Sequence, residues 1–415
     1  MNSAKHDTTG PGHTYISNPN RSGVFLWILL ISSSFTLFFI FIFPFLAKPK
    51  QVMISESPLL KQSKDINSHA TCDLFTGKWV REIRGPSYDN RTCPTMLESR
   101  NCEKYGKDQD FLNWRWKPHG CDLPRFDAGE FLRMVKGKTM FFVGDSLARN
   151  HVESLLCLLS QVEKPVNVYK DKEDTSNIWY FNSSNFTIKS NFIKFLVQAT
   201  ERTINGTKTG VFDIHMDKVD TEWANKLHKT HYIVISTSHW FFRKNYFYEN
   251  GKLIGCTFCS ETNLKEINFI TVIKKATRTA LEFIKNSTEE HHFEFKTLTL
   301  LRTYSPAHFE GGAWNDGGYC NRTRPLKAEE MMGVGDMELR NGQVEELEKV
   351  KKGEGEFGVV DVTESMMVRA DGHPGKHWND EWMKGFKDCV HWCLPGAVDV
   401  WNDMMLQVMK RFSSY

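Results

Sequence analysis

Three residues of this chain have the types and the placing to carry a reaction: Ser146, His391 and Asp388. In Thr139-Met-Phe-Phe-Val-Gly-Asp-Ser146 an apolar, β-favouring run breaks at Gly144 and Asp145, and the helical pattern Leu147 to Leu159 follows. The serine is therefore predicted where a strand passes into a helix N-terminus. There its hydroxyl lies beside free backbone N–H groups and the positive end of the helix dipole, which favour negative charge growing on an attacked carbonyl. A serine nucleophile also needs a base. Asp388-Cys-Val-His-Trp-Cys-Leu-Pro-Gly396 offers one, because on a single turn Asp388 can hold Nδ1–H of His391 and leave Nε2 facing the hydroxyl. Both patterns are short. The plainer alternatives are a serine that merely starts a helix and a surface aspartate beside a half-buried histidine.

Taken together, these segments resemble the plant trichome-birefringence-like family of polysaccharide O-acetyltransferases. Arg302-Thr-Tyr-Ser-Pro-Ala-His-Phe-Glu-Gly-Gly-Ala-Trp-Asn-Asp-Gly-Gly-Tyr-Cys320 matches a third block of that family, and the resemblance runs from Cys72 to the C-terminus. It implies an α/β fold of the Gly-Asp-Ser-Leu (SGNH) hydrolase type, with three layers around a central parallel sheet. It also implies disulfides Cys72 to Cys121, Cys93 to Cys157, Cys102 to Cys393 and Cys320 to Cys389; spacing alone leaves the connectivity open. The Asp371-Gly-His-Pro-Gly375 variant resembles the xyloglucan- and mannan-acetylating branches, and reads as a rigid turn near an acceptor groove.

Other residues are candidates for binding. The Ser146 N–H is the first oxyanion donor; enzymes of the Gly-Asp-Ser-Leu type add a Gly and an Asn, and here Ser236 or Ser238 stands where such a group is expected. Arg149 and Asn150, one helical turn on, either bind donor or acceptor or pair locally. His239 and Ser305 should join Ser146 at the carboxyl ends of strands, where sites gather in such sheets. Arg302, His308, Trp314 and Asn315 fall in the Gly-rich block, where an exposed indole suits the apolar face of a pyranose; the alternative is a tryptophan that closes the core.

The elements that must position these groups follow from periodicity. Strands are predicted at Tyr232 to Ser236, Lys296 to Arg302 and Gly358 to Val362, with surface hairpins over 177–200. Helices are predicted at Phe131 to Lys138, at Leu264 to Asn286 with a core stripe of Ile267, Ile270, Ile273, Ala276, Ala280 and Ile284, over much of Lys327 to Lys352, and at the C-terminus around Trp401. Strands alternating with helices favour a parallel sheet covered on both faces. Cys72 to Cys121, with Trp79, Trp114 and Trp116, reads as a disulfide-stapled minor lobe over 71–125.

Targeting features lie at the N-terminus. Residues 1–23 form a polar tail, Val24 to Leu46 is an apolar run of about 35 Å as a helix, enough to span a bilayer, and residues 47–70 form a polar stem before a catalytic domain at 71–415. A cleaved signal peptide fits less well, since Phe45-Leu-Ala-Lys48 lacks a small-x-small site. Lys5 and Arg21 precede the span while Lys48, Lys50, Lys61 and Lys64 follow it, which by the positive-inside rule puts the domain in the cytosol. Ten cysteines and six sequons, at Asn90, Asn182, Asn185, Asn205, Asn286 and Asn321, argue instead for the lumen. The expectation is a single-pass type II Golgi protein. A net charge of +3 with no basic run excludes nucleic acid as a natural partner. No metal-type spacing is present, and Cys256 with Cys259 reads as a local disulfide or two unrelated cysteines.

The resulting expectation is an O-acetyltransferase acting on a hemicellulose, xyloglucan first and mannan next. It binds no resident cofactor but requires an acetyl donor, with acetyl-CoA or a donor-supplying membrane protein as candidates. An esterase with the same triad and a non-catalytic glycan-binding protein are the alternatives.

Overall fold

The computed structural model describes residues 72–289, 296–330, 334–351, 356–378 and 385–413. The tail, the apolar run Val24 to Leu46 and the stem lie outside the described residues; among these, no helix is long and apolar enough to cross a membrane.

In order, the elements are β1 (Gly77–Arg81), β2 (Trp114–Pro118), α1 (Ala128–Met134), β3 (Thr139–Gly144), α2 (Ser146–Leu159), β4 (Val166–Lys170), β5 (Ser176–Phe181), β6 (Phe186–Phe192), β7 (Val197–Ile204) and β8 (Thr207–Val219). They continue with α3 (Thr221–Ala224), β9 (Tyr232–Ser236), β10 (Asn245–Glu249), β11 (Lys252–Thr257), α4 (Phe269–Glu289), β12 (Leu298–Arg302), α5 (Val334–Val350), β13 (Glu356–Val360), α6 (Thr363–Met367) and α7 (Asp399–Ser413).

Seven strands form the main sheet in the order β13-β12-β9-β3-β6-β5-β4. The first five are parallel, but β5 pairs antiparallel with β6 and β4 antiparallel with β5. The sheet is therefore mixed, not wholly parallel. Of the surface hairpins expected over 177–200, the β5–β6 hairpin is part of this sheet, with Phe181, Phe186 and Ile188 wholly buried in the core, while residues 197–200 begin β7 of another sheet.

Period-two alternation explains both covered faces. Met140 and Phe142 of β3, Val234 of β9 and Leu298 and Leu300 of β12 point into a core shared with α1, α2 and α7. Phe141, Val143, Ile233, Ile235 and Leu301 point the other way, against Trp223, Ala280, Leu281, Ile284, Leu347 and Val350. Helix α4 starts at Phe269, later than the pattern suggested, and its stripe serves two partners. Ala280 and Ile284 face the main sheet, whereas Ile270, Ile273 and Ala276 pack on a second sheet, β11-β10-β8-β7, which the sequence did not reveal.

The stapled lobe is continuous with the core, since Leu74, Tyr88 and Trp116 join the cluster that holds α2 and α7. Its four cysteines bridge as the resemblance implied: Cys72 to Cys121, Cys93 to Cys157 and Cys102 to Cys393, with Cys320 to Cys389 and a local Cys256 to Cys259 elsewhere.

Candidate active site

The chain reverses direction across the sheet at β3, placing β6 on one side and β9 on the other, and in such sheets ligands bind outside the carboxyl ends at the reversal. Ser146 is the first residue of α2 at that point. Gly144 is needed there for close approach: a Cβ at this position would lie 2.0 Å from the Ser236 carbonyl oxygen. The Asp145 side chain accepts from Leu147 N–H (3.0 Å) and from the N–H groups of Ser238 (3.1 Å) and His239 (3.4 Å), tying the start of α2 to the end of β9.

Asp388 and His391 lie 242 and 245 residues further on, in a turn without regular structure. His391 Nε2 is 2.7 Å from Ser146 Oγ, and its Nδ1–H donates to Asp388 Oδ2 at 2.9 Å. Asp388 Oδ1 also accepts the N–H groups of Val390 (3.2 Å) and His391 (2.9 Å), which folds the turn around the carboxylate. Arg100, from the stapled lobe, donates to Asp388 Oδ2 at 3.2 Å and lies 3.6 Å from the buried Glu153 carboxylate on α2. Burial alone would raise the Asp388 carboxyl, but His391, its hydrogen bonds and Arg100 outweigh this and hold it far below the usual carboxylate range. Asp388 is thus held as an anion against the His391 imidazole. Burial raises the Glu153 carboxyl, against the pull of Arg100. Ser146 and His391 are half-buried, open to a substrate on one side.

Further contacts lock the turn. Asn150 accepts from Trp392 N–H (2.7 Å) and donates to its carbonyl (3.3 Å), so this wholly buried residue clamps the turn to α2 and has no polar group left for a substrate. Gly375 and Asp388 exchange two backbone hydrogen bonds, and Cys393 N–H bonds Gly372. His373 donates from Nδ1 to the His391 carbonyl (2.7 Å), stacks on Trp392 at 4.1 Å and meets His308 Nδ1 through its Nε2 at 2.7 Å. The Asp371 to Gly375 turn is accordingly packed beneath the catalytic turn instead of lining a groove, with Asp371 paired to Arg369 in the interior.

The remaining candidates divide by what they touch. Ser238 spends its N–H on Asp145 and its hydroxyl on the Thr237 carbonyl, so its donors are used, whereas Ser236 accepts from Arg302 (2.7 Å) and is buried at the end of β9. With Leu147, Ala148 and Arg149 N–H groups all bonded to Asp145, the Ser146 N–H is the first-turn donor left beside the hydroxyl. Arg149 forms an ion pair with Asp174 at 2.9 Å and lies over the Phe192 ring. Arg302 ends β12 and is buried behind Asp145, not in the Gly-rich loop; burial pulls its guanidinium down to about 10 while Asp145 opposes. His239 bonds the Ser305 carbonyl (2.8 Å), and burial lowers it, with Asp145 pulling upward and His391 within electrostatic reach. His308 is held between His373 and the Met367 carbonyl, whereas Trp314 and Asn315 are exposed at the surface. Of the sequons, all but the half-buried Asn90 present an exposed asparagine. Among the described residues there is no cluster of three metal-ligating side chains. Arg100 is the residue that sequence reading missed; its neighbour Cys102, bridged to Cys393, was the available signal.

A serine, a histidine and an aspartate hydrogen-bonded in series at the carboxyl edge of an α/β sheet define the architecture of a serine-dependent acyl-transfer enzyme. The chain belongs to the GDSL/SGNH-like acyl-esterase family found in Pmr5 and Cas1p, whose model matches residues 123–408, preceded by the PMR5 N terminal domain over residues 70–122. Arg100 and four cysteines lie in the second of these. Among its relatives, xyloglucan O-acetyltransferase 3 of Populus trichocarpa is 48% identical over 90% of this chain and 96% of its own length. Xyloglucan O-acetyltransferase 4 of the same plant is 51% identical over 82% of this chain and 81% of its own. Xyloglucan O-acetyltransferase 2 of Arabidopsis thaliana is 43% identical over 94% and 93%.

Proposed function

We propose that the protein is a Golgi O-acetyltransferase that moves an acetyl group through Ser146 onto hydroxyls of a hemicellulose, with xyloglucan as the acceptor. The observation that carries this reading is the 2.7 Å contact between Ser146 Oγ and His391 Nε2, with Asp388 behind the imidazole at 2.9 Å. His391 takes the hydroxyl proton as Ser146 Oγ attacks the acetyl carbonyl. The tetrahedral oxyanion rests on the Ser146 N–H and the N-terminal end of α2; the donor's leaving group then departs with the proton from His391. In the second half, His391 deprotonates a sugar hydroxyl, which attacks the acetyl-serine; the C–O bond to Ser146 breaks and the proton returns to Oγ. Asp388 stays ionised and stabilises the imidazolium in both halves. The acetyl donor is external, with acetyl-CoA a candidate. The similarity to three xyloglucan O-acetyltransferases supports the acceptor.

In this reading Val24 to Leu46 anchors a type II protein, and the sequons are glycosylated in the lumen. Five disulfides support an oxidising compartment.

The test is to incubate the full chain with an acetyl donor, with and without xyloglucan oligosaccharide, and to follow acetylated glycan and free acetate by mass. Acetylated glycan that disappears in Ser146→Ala is the expected result. Acetate alone would make the protein an esterase, and neither product would leave it a binding protein.

A further inference from the structure

Two exposed aromatic side chains and a guanidinium with no carboxylate partner among the described residues lie on segments rooted beside Ser146 and Asp388. On one side, Ser238 and His239 donate to Asp145, next to Ser146, and the chain runs straight into Trp240 and Arg243. On the other, the loop carrying Trp314 is closed at its base by paired hydrogen bonds between Glu310 and Tyr319, and Cys320 then bridges to Cys389, next to Asp388. Within this loop Gly312 adopts a φ of +143°, and a Cβ there would lie 2.2 Å from the Asp316 carbonyl oxygen, so the tip that displays Trp314 has a fixed shape.

The two sides meet through Arg243. Its Cζ lies 4.0 Å from the Trp240 ring centre and 5.9 Å from that of Trp314, and Phe386 continues the row 6.2 Å beyond Trp314. Trp314 is 45% exposed and Phe386 41%. The acidic group within electrostatic reach of Arg243 is Glu201, which Lys194 holds at 3.5 Å; Lys194 itself lies 4.8 Å from the Trp240 ring. Arg243 Nε is buried and has no hydrogen-bond partner among the described residues. An unpartnered donor of this kind costs stability unless a ligand supplies an acceptor.

We infer that Trp240, Arg243, Trp314 and Phe386 form the platform that seats the acceptor as a neutral pyranose chain, the rings stacking on sugar C–H faces and the Arg243 fork donating to hydroxyls. This rests on the acetyltransferase reading and adds to it the surface that selects the polymer. Aromatic faces suit a ring with an apolar side, and guanidinium N–H groups reach paired hydroxyls as they do paired carboxylate oxygens. The row is longer than one ring, and it begins within two residues of groups that touch or adjoin the nucleophile and the base. It therefore fits a polymer passing the site better than a small donor.

The test uses the full chain in detergent carrying Ser146→Ala, so that binding is read without turnover. Xyloglucan oligosaccharide should bind, and adding Trp314→Ala or Arg243→Ala should weaken it by about tenfold or more, with Arg243→Lys intermediate because the charge remains and the fork is lost. In chains with Ser146 intact, the same substitutions should raise KM for the oligosaccharide by a similar factor, while kcat changes by less than about threefold. Trp314 is at the surface, so its removal tests the platform without threatening the fold. Affinity unchanged within about twofold in both variants would overturn the inference, as would tighter binding of an oligogalacturonate than of the neutral oligosaccharide. If no acetyl transfer occurs at all, the acetyltransferase reading fails while the binding result still decides the platform.

Discussion

Ser146 stands between a strand and a helix fixed by backbone hydrogen bonding, whereas His391 and Asp388 sit in an irregular turn held by two disulfides and by side chains from distant segments. The nucleophile's position is set by β3, by the Gly144 approach to Ser236, and by Asp145 capping α2. The base's position is set by the Cys102 and Cys320 bridges, by Asn150, by His373 and by Arg100. One half of the site follows from local sequence and the other from cross-links. Removing cross-links should therefore damage the base while leaving the nucleophile's sheet intact.

The largest expected effect removes the charge behind the base. Asp388→Asn should lower kcat for acetyl transfer by about 10⁴-fold, because the imidazole loses its tautomer and the stabilisation of its protonated form. A Ser146 elbow with catalytic power of its own would show as a loss of less than about tenfold.

Next comes the tether. Cys102→Ser combined with Cys393→Ser should cost about 2–5 kcal/mol of stability in denaturant unfolding. Activity below the unfolding midpoint should fall further than the folded fraction does, since Leu394 N–H is also held by the Arg100 carbonyl next to this bridge. Activity that simply tracks the folded fraction would remove the distinction between the two halves.

The smallest effect belongs to the nucleophile's side. Asp403 of α7 is half-buried and accepts the Phe126 N–H at 2.8 Å, and desolvation pushes its carboxyl up to about 7; Asp399, which accepts from Ser154 on α2, is raised to about 6. A carboxyl raised in the folded state binds a proton that the unfolded chain has lost, so stability declines as pH rises from about 4 through about 7. Asp403→Asn should flatten the fall of the melting temperature between about pH 5 and 7 without altering the pH dependence of kcat. An unchanged slope would show that Asp403 does not carry it.

The same division decides what could be read from the residues. Tyr232 to Ser236 is a strand over the predicted span, because its five residues are buried on both faces and leave an unbroken apolar run. The Ser146 elbow was legible for the same local reason. The second sheet was not, since β7 and β8 mix Thr, Lys, Glu and Asp with a few buried residues, and only packing on α4 makes their inner face a core. The antiparallel β4 was hidden too, because all five of its residues are exposed at the sheet edge. On the base side, Asp388 and His391 were legible as a pair, but Arg100 was not: it lies 288 residues away, and its one local mark is Cys102, whose bridge to Cys393 does not show in spacing. The cysteine pairings came from family resemblance, not from spacing. Asn150 looked like a ligand group because it follows the serine by one turn, yet the fold uses it to grip Trp392.

In the proposed reaction Ser146 carries the acetyl group and His391 makes the serine reactive. Mass spectrometry of the intact chain, quenched after exposure to an acetyl donor without glycan, tests this directly. One added acetyl group, located by peptide mapping to Ser146, lost on adding xyloglucan oligosaccharide and absent in His391→Ala, is the predicted result. Acetyl transfer to glycan with no such adduct would rule out Ser146 as the acetyl carrier, and an adduct that forms equally well in His391→Ala would rule out His391 as its activator.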